Sequence, residues 1–240
     1  MWWWHEQVGA IECGFTDRDD GVSAQTYAGL NLGGHVGDDE HAVAANRSLL
    51  REALTSAGAP APVLASMSQV HGRDVAIISG TEREPPVADA MVTDQAGVAL
   101  MVLVADCTPV LLHDEAAGLI GVAHAGRAGL VRGIVPAAVA AMRDLGSSDL
   151  RAVVGPSICG RCYEVPAPMR DDIAADAPAS YAVSWQGTPA VDVAAGVTQQ
   201  LGELGVALTW VAGCSRESPQ LFSYRRDGVT GRFAGVVVRQ

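Results

Sequence analysis

The stretch MVLVADCTPVLLHD, residues 101–114, sets the reading of the whole chain. Two apolar runs of strand-like composition flank Asp106 and Cys107, and Thr108 and Pro109 follow directly. An acid and a thiol inside what otherwise reads as two buried strands need an explanation, because a buried carboxylate is tolerated only when it is paired or hydrogen-bonded. The first run begins upstream in VALMVLVA (98–105), and a third, GLIGVAHAG (118–126), follows after a turn. Cys107 and His124 thus each stand at the end of a strand candidate.

Farther out, VLASMSQVHGRDVAIIS (63–79) reads as a strand, a polar turn at HGRD and a second strand, with His71 on the turn. TEREPPVADAMVTDQAG (81–97) reads as a turn-rich surface segment, since Pro85 and Pro86 bar regular structure. Helical spacing of Val43, Leu49, Leu50, Ala53 and Leu54 predicts a helix from about residue 40 to 56. Two more helices are expected over 130–146, with Gly146 as the C-terminal stop, and over 191–205. Strands are expected over 149–158 and 206–214, and the end (218–240) reads as a loop, a turn and a closing strand. Trp2, Trp3 and Trp4 either pack a first strand or lie at a partner surface. No repeat or linker divides the chain, so one domain over 1–240 is expected. Its class is α/β, with a mixed sheet, because too many strands are adjacent in sequence for a purely parallel one.

A chain of 240 residues, 49% of them hydrophobic, can bury a full core without disulfide staples. Its net charge of −11 opposes binding to nucleic acid, where affinity rests on cations neutralising phosphates. All 16 basic residues are arginines, so a small phosphate must be met by guanidinium forks or backbone N–H groups. No run is long enough for a membrane span, and MWWWHEQ lacks the basic start and long apolar centre of a secretory signal. Five cysteines, an odd number, fit a reduced compartment, and the cytoplasm is the expected location.

His71, Cys107 and His124 each end or follow an apolar run beside a small or turn-forming residue. Strand ends that converge on one rim bring distant residues together, and two imidazoles with a thiolate suit zinc with a fourth position left open. The same three residues also allow a Cys107 nucleophile activated by His124 or His71. A lone cysteine in an apolar run can equally be inert core, and spacing alone leaves these readings open.

The chain resembles the YfiH family, the laccase-domain or polyphenol-oxidase-like proteins regarded as purine nucleoside phosphorylases. The resemblance is carried by GFTDRDDGVS, LNLGGHVGDD followed by NR, QVHG, ADAMVT, VADCTPVLL, VAHAG, VGPSI with CYEV, and FSYRRDGVTGRFAGVV. It implies that His71, Cys107 and His124 are the metal ligands and the catalytic centre, with zinc as the ion and copper as a substitute. The fold implied is the mixed-sheet α/β/α sandwich shared with the catalytic domain of cytotoxic necrotizing factor toxins. The implied reaction is cleavage of adenosine, inosine or methylthioadenosine by phosphate to the base and ribose 1-phosphate. Adenosine deamination is implied as a second activity, and zinc activation of water makes chemical sense of it.

Arg47 of the NR pair matches a family position near the nucleoside and is the first choice for an anion contact. Asn31 and Gln69 are expected to orient ribose or base through their amides. Arg225, with Arg226, either completes a phosphate pocket or ties the C-terminal loop to Asp106, orienting Cys107. Two departures from the family pattern stand out. Arg127 and Ala128 occupy positions where the family has Trp and Arg, and Cys159 replaces a usual Gly to make a Cys-x-x-Cys pair with Cys162. That pair suggests a redox couple or half a zinc site, but no second pair follows it, so a structural role or an occasional disulfide is expected. Six histidines cannot house the four coppers of a multicopper oxidase, since His5, His35 and His41 lie in the N-terminal part. The rival functions are a single-copper phenol oxidase and a metal-binding domain of an assembly. The resemblance suggests a monomer.

Overall fold

The runs on either side of Asp106 become fully buried strands, and the chain changes sheets between them. The computed structural model describes residues 1–55 and 60–240. In chain order its elements are β1 (Trp2–Val8), β2 (Ile11–Thr16), α1 (Glu40–Ala53), β3 (Val63–Ala65), β4 (Val75–Ile77), β5 (Ala90–Thr93), β6 (Val98–Val104), β7 (Thr108–Asp114) and β8 (Leu119–Ala125). There follow α2 (Arg127–Arg132), α3 (Ile134–Asp144), β9 (Arg151–Val154), α4 (Ala167–Asp176), β10 (Tyr181–Val183), β11 (Pro189–Val191), α5 (Val193–Glu203), β12 (Ala207–Trp210), α6 (Tyr224–Asp227) and β13 (Phe233–Arg239).

The mixed-sheet α/β class expected from the sequence is what forms, and the structure divides its strands between two stacked sheets. One sheet runs β1-β2-β13-β6-β3 and the other β12-β9-β7-β8-β5-β4, with β10 and β11 as a separate antiparallel pair. Each large sheet mixes antiparallel ladders with parallel edge pairs: β3 with β6, β4 with β5, and β12 with β9. Val102 and Val104 of β6 point between the sheets, where they meet Leu111, Ile120 and Val122 of the opposite one. Met101 and Leu103 point the other way, onto Leu50 and Leu54 at the end of α1. On the far side of the second sheet, Val110, Leu112 and Ala123 pack against Val135, Val139 and Met142 of α3 and Val197 of α5. The order of layers is therefore helix, sheet, sheet, helix, and strands covered on both faces need no polar alternation.

Several local expectations change. The expected strand-turn-strand over 63–79 is no hairpin: β3 joins the first sheet and β4 the second, so residues 66–74 cross between layers. The segment read as surface turns supplies β5, which is fully buried between β8 and β4. Four residues between Asp89 and Asp94 are too few to show a period. The helix expected over 130–146 breaks into α2 and α3 at Gly133, whose φ of 79° favours glycine. Gly146 does follow the end of α3, as expected. α1 ends at Ala53 with Leu54 as its C-cap, so the expected continuation through Thr55 does not form, and Ser56 lies outside the described residues. Trp3 and Trp4 pack β1 onto the core between the sheets, the first of the two expected alternatives. Among the described residues no helix is long and apolar enough to cross a membrane.

Candidate metal centre

Two of the segments that cross between the sheets each deliver a candidate ligand. His71 lies on the 66–74 crossing with φ 57°, and Cys107 follows Asp106, whose φ is 93°, on the shorter crossing from β6 to β7. His124 sits near the end of β8, buried. One ligand atom from each of the three lies within 4.8 Å of the others, and Cys107 Sγ is 3.6 Å from His71 Nε2. An edge of about 3.5 Å is what a tetrahedral zinc with ordinary Zn–S and Zn–N bonds requires, so the donor set and its spacing fit such an ion. Gly126 is needed beside it, because a Cβ there would come within 3.0 Å of Cys107 Sγ and 2.5 Å of His71 Cδ2.

Asp89, just ahead of β5, organises this triad. Its Oδ1 accepts from His71 N at 2.9 Å and from His124 Nδ1 at 2.8 Å, and its Oδ2 accepts from Val70 N at 3.1 Å and Gly72 N at 2.6 Å. Burial opposes the charged carboxylate, but these bonds outweigh it and hold Asp89 down at about 2. An ionised Asp89 keeps the proton of His124 on Nδ1 and leaves Nε2 free to ligate. Arg132 donates to the His71 carbonyl and steadies the strained residue from the other side.

Burial would raise the Cys107 thiol, yet the charge of His124 and hydrogen bonds from both imidazoles pull it down to about 6. Burial likewise works against a charged His124, which the Cys107 thiolate and Asp89 push up to about 9. Without an ion the two form a thiolate-imidazolium pair. Cys107 of chelator-treated protein should therefore be alkylated by iodoacetamide with a midpoint near pH 6, slowing as pH falls through it. Peptide mass spectrometry locates the label, and a midpoint near 8 to 9 would contradict the pairing.

The centre opens into a cavity of about 670 Å³, lined also by Gln69, Arg127, Tyr163, Tyr224, Arg225 and Arg232. The Arg225 guanidinium lies 4.9 Å from the centre of the Tyr163 ring. The structure therefore brings Gln69 and Arg225 to the centre, but not Asn31 or Arg47. Asn31 is fully buried: Oδ1 accepts from Gly33 N and Arg232 N, and Nδ2 donates to Asp38 and the Gly33 carbonyl. Arg47 spends Nε and Nη2 on the Leu32 carbonyl. Through these bonds the two residues hold the loop that backs Arg232. Gln69 binds the Leu103 backbone through both ends of its amide, so it shapes the wall.

Asp106 is held, though not by a guanidinium as expected. Ser215 Oγ and Ser223 Oγ each donate to Oδ1 at 2.6 Å, and Arg225 N donates to Oδ2 at 2.6 Å. The acid is thus the hydrogen-bonded pin of the crossing that carries Cys107. Arg226 instead donates to the Ser215, Ser218 and Leu221 carbonyls and pairs with Asp227, folding the loop that supplies Ser215. Sequence reasoning missed Asp89, Arg232 and His35, the last of which also lines the cavity. Asp89 stood in the quoted ADAMVT block as an acid next to an apolar run, the same signal that drew attention to Asp106.

A family model described as multi-copper polyphenol oxidoreductase laccase matches residues 12–240. The chain belongs to this family. It is 53% identical over 239 residues to a purine nucleoside phosphorylase of Streptomyces coelicolor, covering 97% of each chain. It is 35% identical over 240 residues to purine nucleoside phosphorylase YfiH of Escherichia coli K12, covering 98% of this chain and 96% of that one. The crystal structure of Neisseria meningitidis protein NMB0706 is 32% identical and superposes with a TM-score of 0.86 over 97% of this chain and 96% of that chain. The expected YfiH resemblance therefore holds along nearly the full length. The laccase family's description implies several coppers, whereas among the described residues only the His71, Cys107 and His124 group joins histidines into a candidate centre. His5 is instead engaged by Glu12 at 2.8 Å on the neighbouring strand.

Proposed function

We propose that this chain is a purine nucleoside phosphorylase acting on adenosine, inosine or methylthioadenosine with inorganic phosphate, with zinc-dependent adenosine deamination as a second activity. The observation that carries the reading is the cavity: the metal centre forms one wall, three arginines open onto it, and its 670 Å³ falls in the size range of small-ligand sites. Relatives named purine nucleoside phosphorylase lend it support. A zinc ion held by His71, Cys107 and His124 supplies Lewis acidity for polarising bound oxygen groups.

The remaining work falls to the chain. Arg232, anchored through its backbone N–H on Asn31 and through Nη1 on the Thr230 and Gly231 carbonyls, presents a fixed positive charge for phosphate oxygens. Arg225 and Arg127 complete that cradle, so Arg127 adds charge where a family tryptophan would add an aromatic wall. Leu103, Ile158 and Val193 form an apolar side against which a purine is desolvated, and Tyr163 offers a ring face. The reading takes the chain as one cytoplasmic, monomeric domain that uses free nucleosides and binds neither nucleic acid nor membrane. Two imidazoles and a thiolate also suit copper, which favours weak phenol oxidation as the second reading.

The test is chromatographic: each nucleoside is incubated with the purified protein, with and without phosphate. Free base is expected only with phosphate, together with ribose 1-phosphate from adenosine and inosine and its 5-methylthio counterpart from methylthioadenosine. Arg232→Ala should raise the phosphate KM by about 10- to 100-fold, the loss of charge-assisted hydrogen bonds worth about 1.5–3 kcal/mol. Equal base release without phosphate would make the enzyme a hydrolase. No nucleoside turnover, with phenol oxidation by the copper-loaded protein, would put the second reading in its place.

A further inference from the structure

The Cys159 and Cys162 pair finds in the fold the partners that its sequence surroundings lack. It lies on the loop after β9, and Cys214 and Glu217 lie on the loop after β12. β9 and β12 are parallel neighbours, so both loops leave the same end of the sheet, and a bridge between Ser157 and Cys214 prolongs their pairing. Each loop makes the same turn. Cys162 N donates to the Cys159 carbonyl at 2.9 Å and Glu217 N to the Cys214 carbonyl at 3.2 Å, which swings the first and fourth side chains of each turn to one side.

One ligand atom from each of Cys159, Cys162, Cys214 and Glu217 lies within 4.8 Å of the others. We propose that these four residues form a second metal site, structural in role, that takes a zinc-class divalent ion in three-thiolate, one-carboxylate coordination. Cys-x-x-Cys spacing on a tight turn is the usual half of such a site, and Cys-x-x-Glu on a matching turn supplies the other half. Three thiolates select a soft or borderline metal over magnesium or calcium. Cys162 Sγ is 3.4 Å from Glu217 Oε1, close to the edge of a tetrahedron around zinc. Outer contacts are in place as well: Trp185 Nε1 donates to Glu217 Oε1 at 3.0 Å, and Cys159 N points at Cys214 Sγ from 3.5 Å. Arg161 and Arg216 occupy the third position of the two turns and offset the negative charge of the ligands.

Four protein ligands leave no open position, so the ion acts as a clamp. It joins the two loops that back the catalytic cavity. Ser215, next to Cys214, donates to Asp106, Ile158 N donates to the Asp106 carbonyl, and Tyr163, next to Cys162, lines the cavity. The site lies outside the His71, Cys107 and His124 centre and does not depend on the reaction that centre performs.

Metal stoichiometry tests it. Protein purified under reducing conditions, loaded with zinc and dialysed, should carry two ions per chain by plasma mass spectrometry. Cys107→Ala should carry one, the Cys159→Ser, Cys162→Ser double variant one, and their combination none. Retention of two ions by the double variant, or total loss of metal in Cys107→Ala, overturns the proposal. So does a count of three free thiols in place of five in denatured, chelator-treated wild type, which would mean a disulfide. Should the double variant fail to fold, cobalt decides in Cys107→Ala: intense thiolate-to-cobalt absorption supports the site, and its absence overturns it. Glu217→Gln, which keeps all thiols, should weaken zinc retention against a competing chelator by at least tenfold.

Discussion

Cys107→Ala should lose one equivalent of bound metal and lower purine release by a factor on the order of 10³ or more. A metal's Lewis acidity is worth several kcal/mol of transition-state stabilisation, and each decade of rate is about 1.4 kcal/mol. Removing the thiolate leaves two imidazoles, too few to hold the ion. The fold should survive, because Cys107 is only half-buried and the crossing is held by Asp106 through Ser215, Ser223 and Arg225 N. An unchanged melting temperature with lost metal and lost turnover is the expected pattern. A variant that keeps its metal at His71 and His124 yet loses turnover would instead identify Cys107 as a nucleophile. A variant that keeps both would remove this centre from the reaction.

Asp89→Asn should cost the second-largest amount, in stability as well as in metal binding. The carboxylate accepts four hydrogen bonds, three from consecutive backbone N–H groups and one from His124. An amide turns one of its two positions into a donor, leaving at least one buried N–H without an acceptor at about 1–3 kcal/mol each. It also donates toward His124 Nδ1, which moves the imidazole proton to Nε2, the position that should ligate. Metal affinity should fall by about 10- to 100-fold, as for other losses of outer-shell partners. The melting temperature should drop by roughly 2–12 °C for a chain of this size.

The sign with pH follows from the depressed value of Asp89. Its contribution is complete above the unfolded carboxylate range, near pH 4, and disappears as pH falls through about 2. In metal-free protein the stability gap between wild type and Asp89→Asn should therefore be widest and level at about pH 5 to 6, narrow below pH 4 as Asp89 is protonated, and narrow again toward pH 9 as His124 loses its proton. Denaturant melts across both windows measure it, and a gap that widens as pH falls from 5 to 2 would mean that Asp89 is not charged in the fold.

Local chemistry made much of this protein legible. The largely apolar runs 98–105, 109–114 and 118–126 became β6, β7 and β8, since a strand covered on both faces announces itself by composition alone. His71, Cys107 and His124 stood out as candidates because each ends or follows an apolar run, but spacing left their role open and the family resemblance supplied it. Charge was legible too, as a sum over residues that no fold alters.

What the sequence by itself determined, then, was the α/β class and the strand or helix character of its most apolar stretches, with His71, Cys107 and His124 marked as candidates and assigned as ligands only by family resemblance. Tertiary structure alone decided that the strands form two sheets, that Asp89 orients the histidines, that two serines and a backbone N–H hold Asp106, and that Arg232 rather than Arg47 lines the cavity. It alone set Cys214 and Glu217 beside Cys159 and Cys162. The reason is range: side-chain period and turn chemistry act over a few residues. By contrast, the bond from Arg225 N to Asp106 closes a separation of 119 residues, and that from Cys159 N to Cys214 Sγ closes 55. Such meetings depend on which strands pair and which way each crossing turns, and those choices are made by packing the whole core at once.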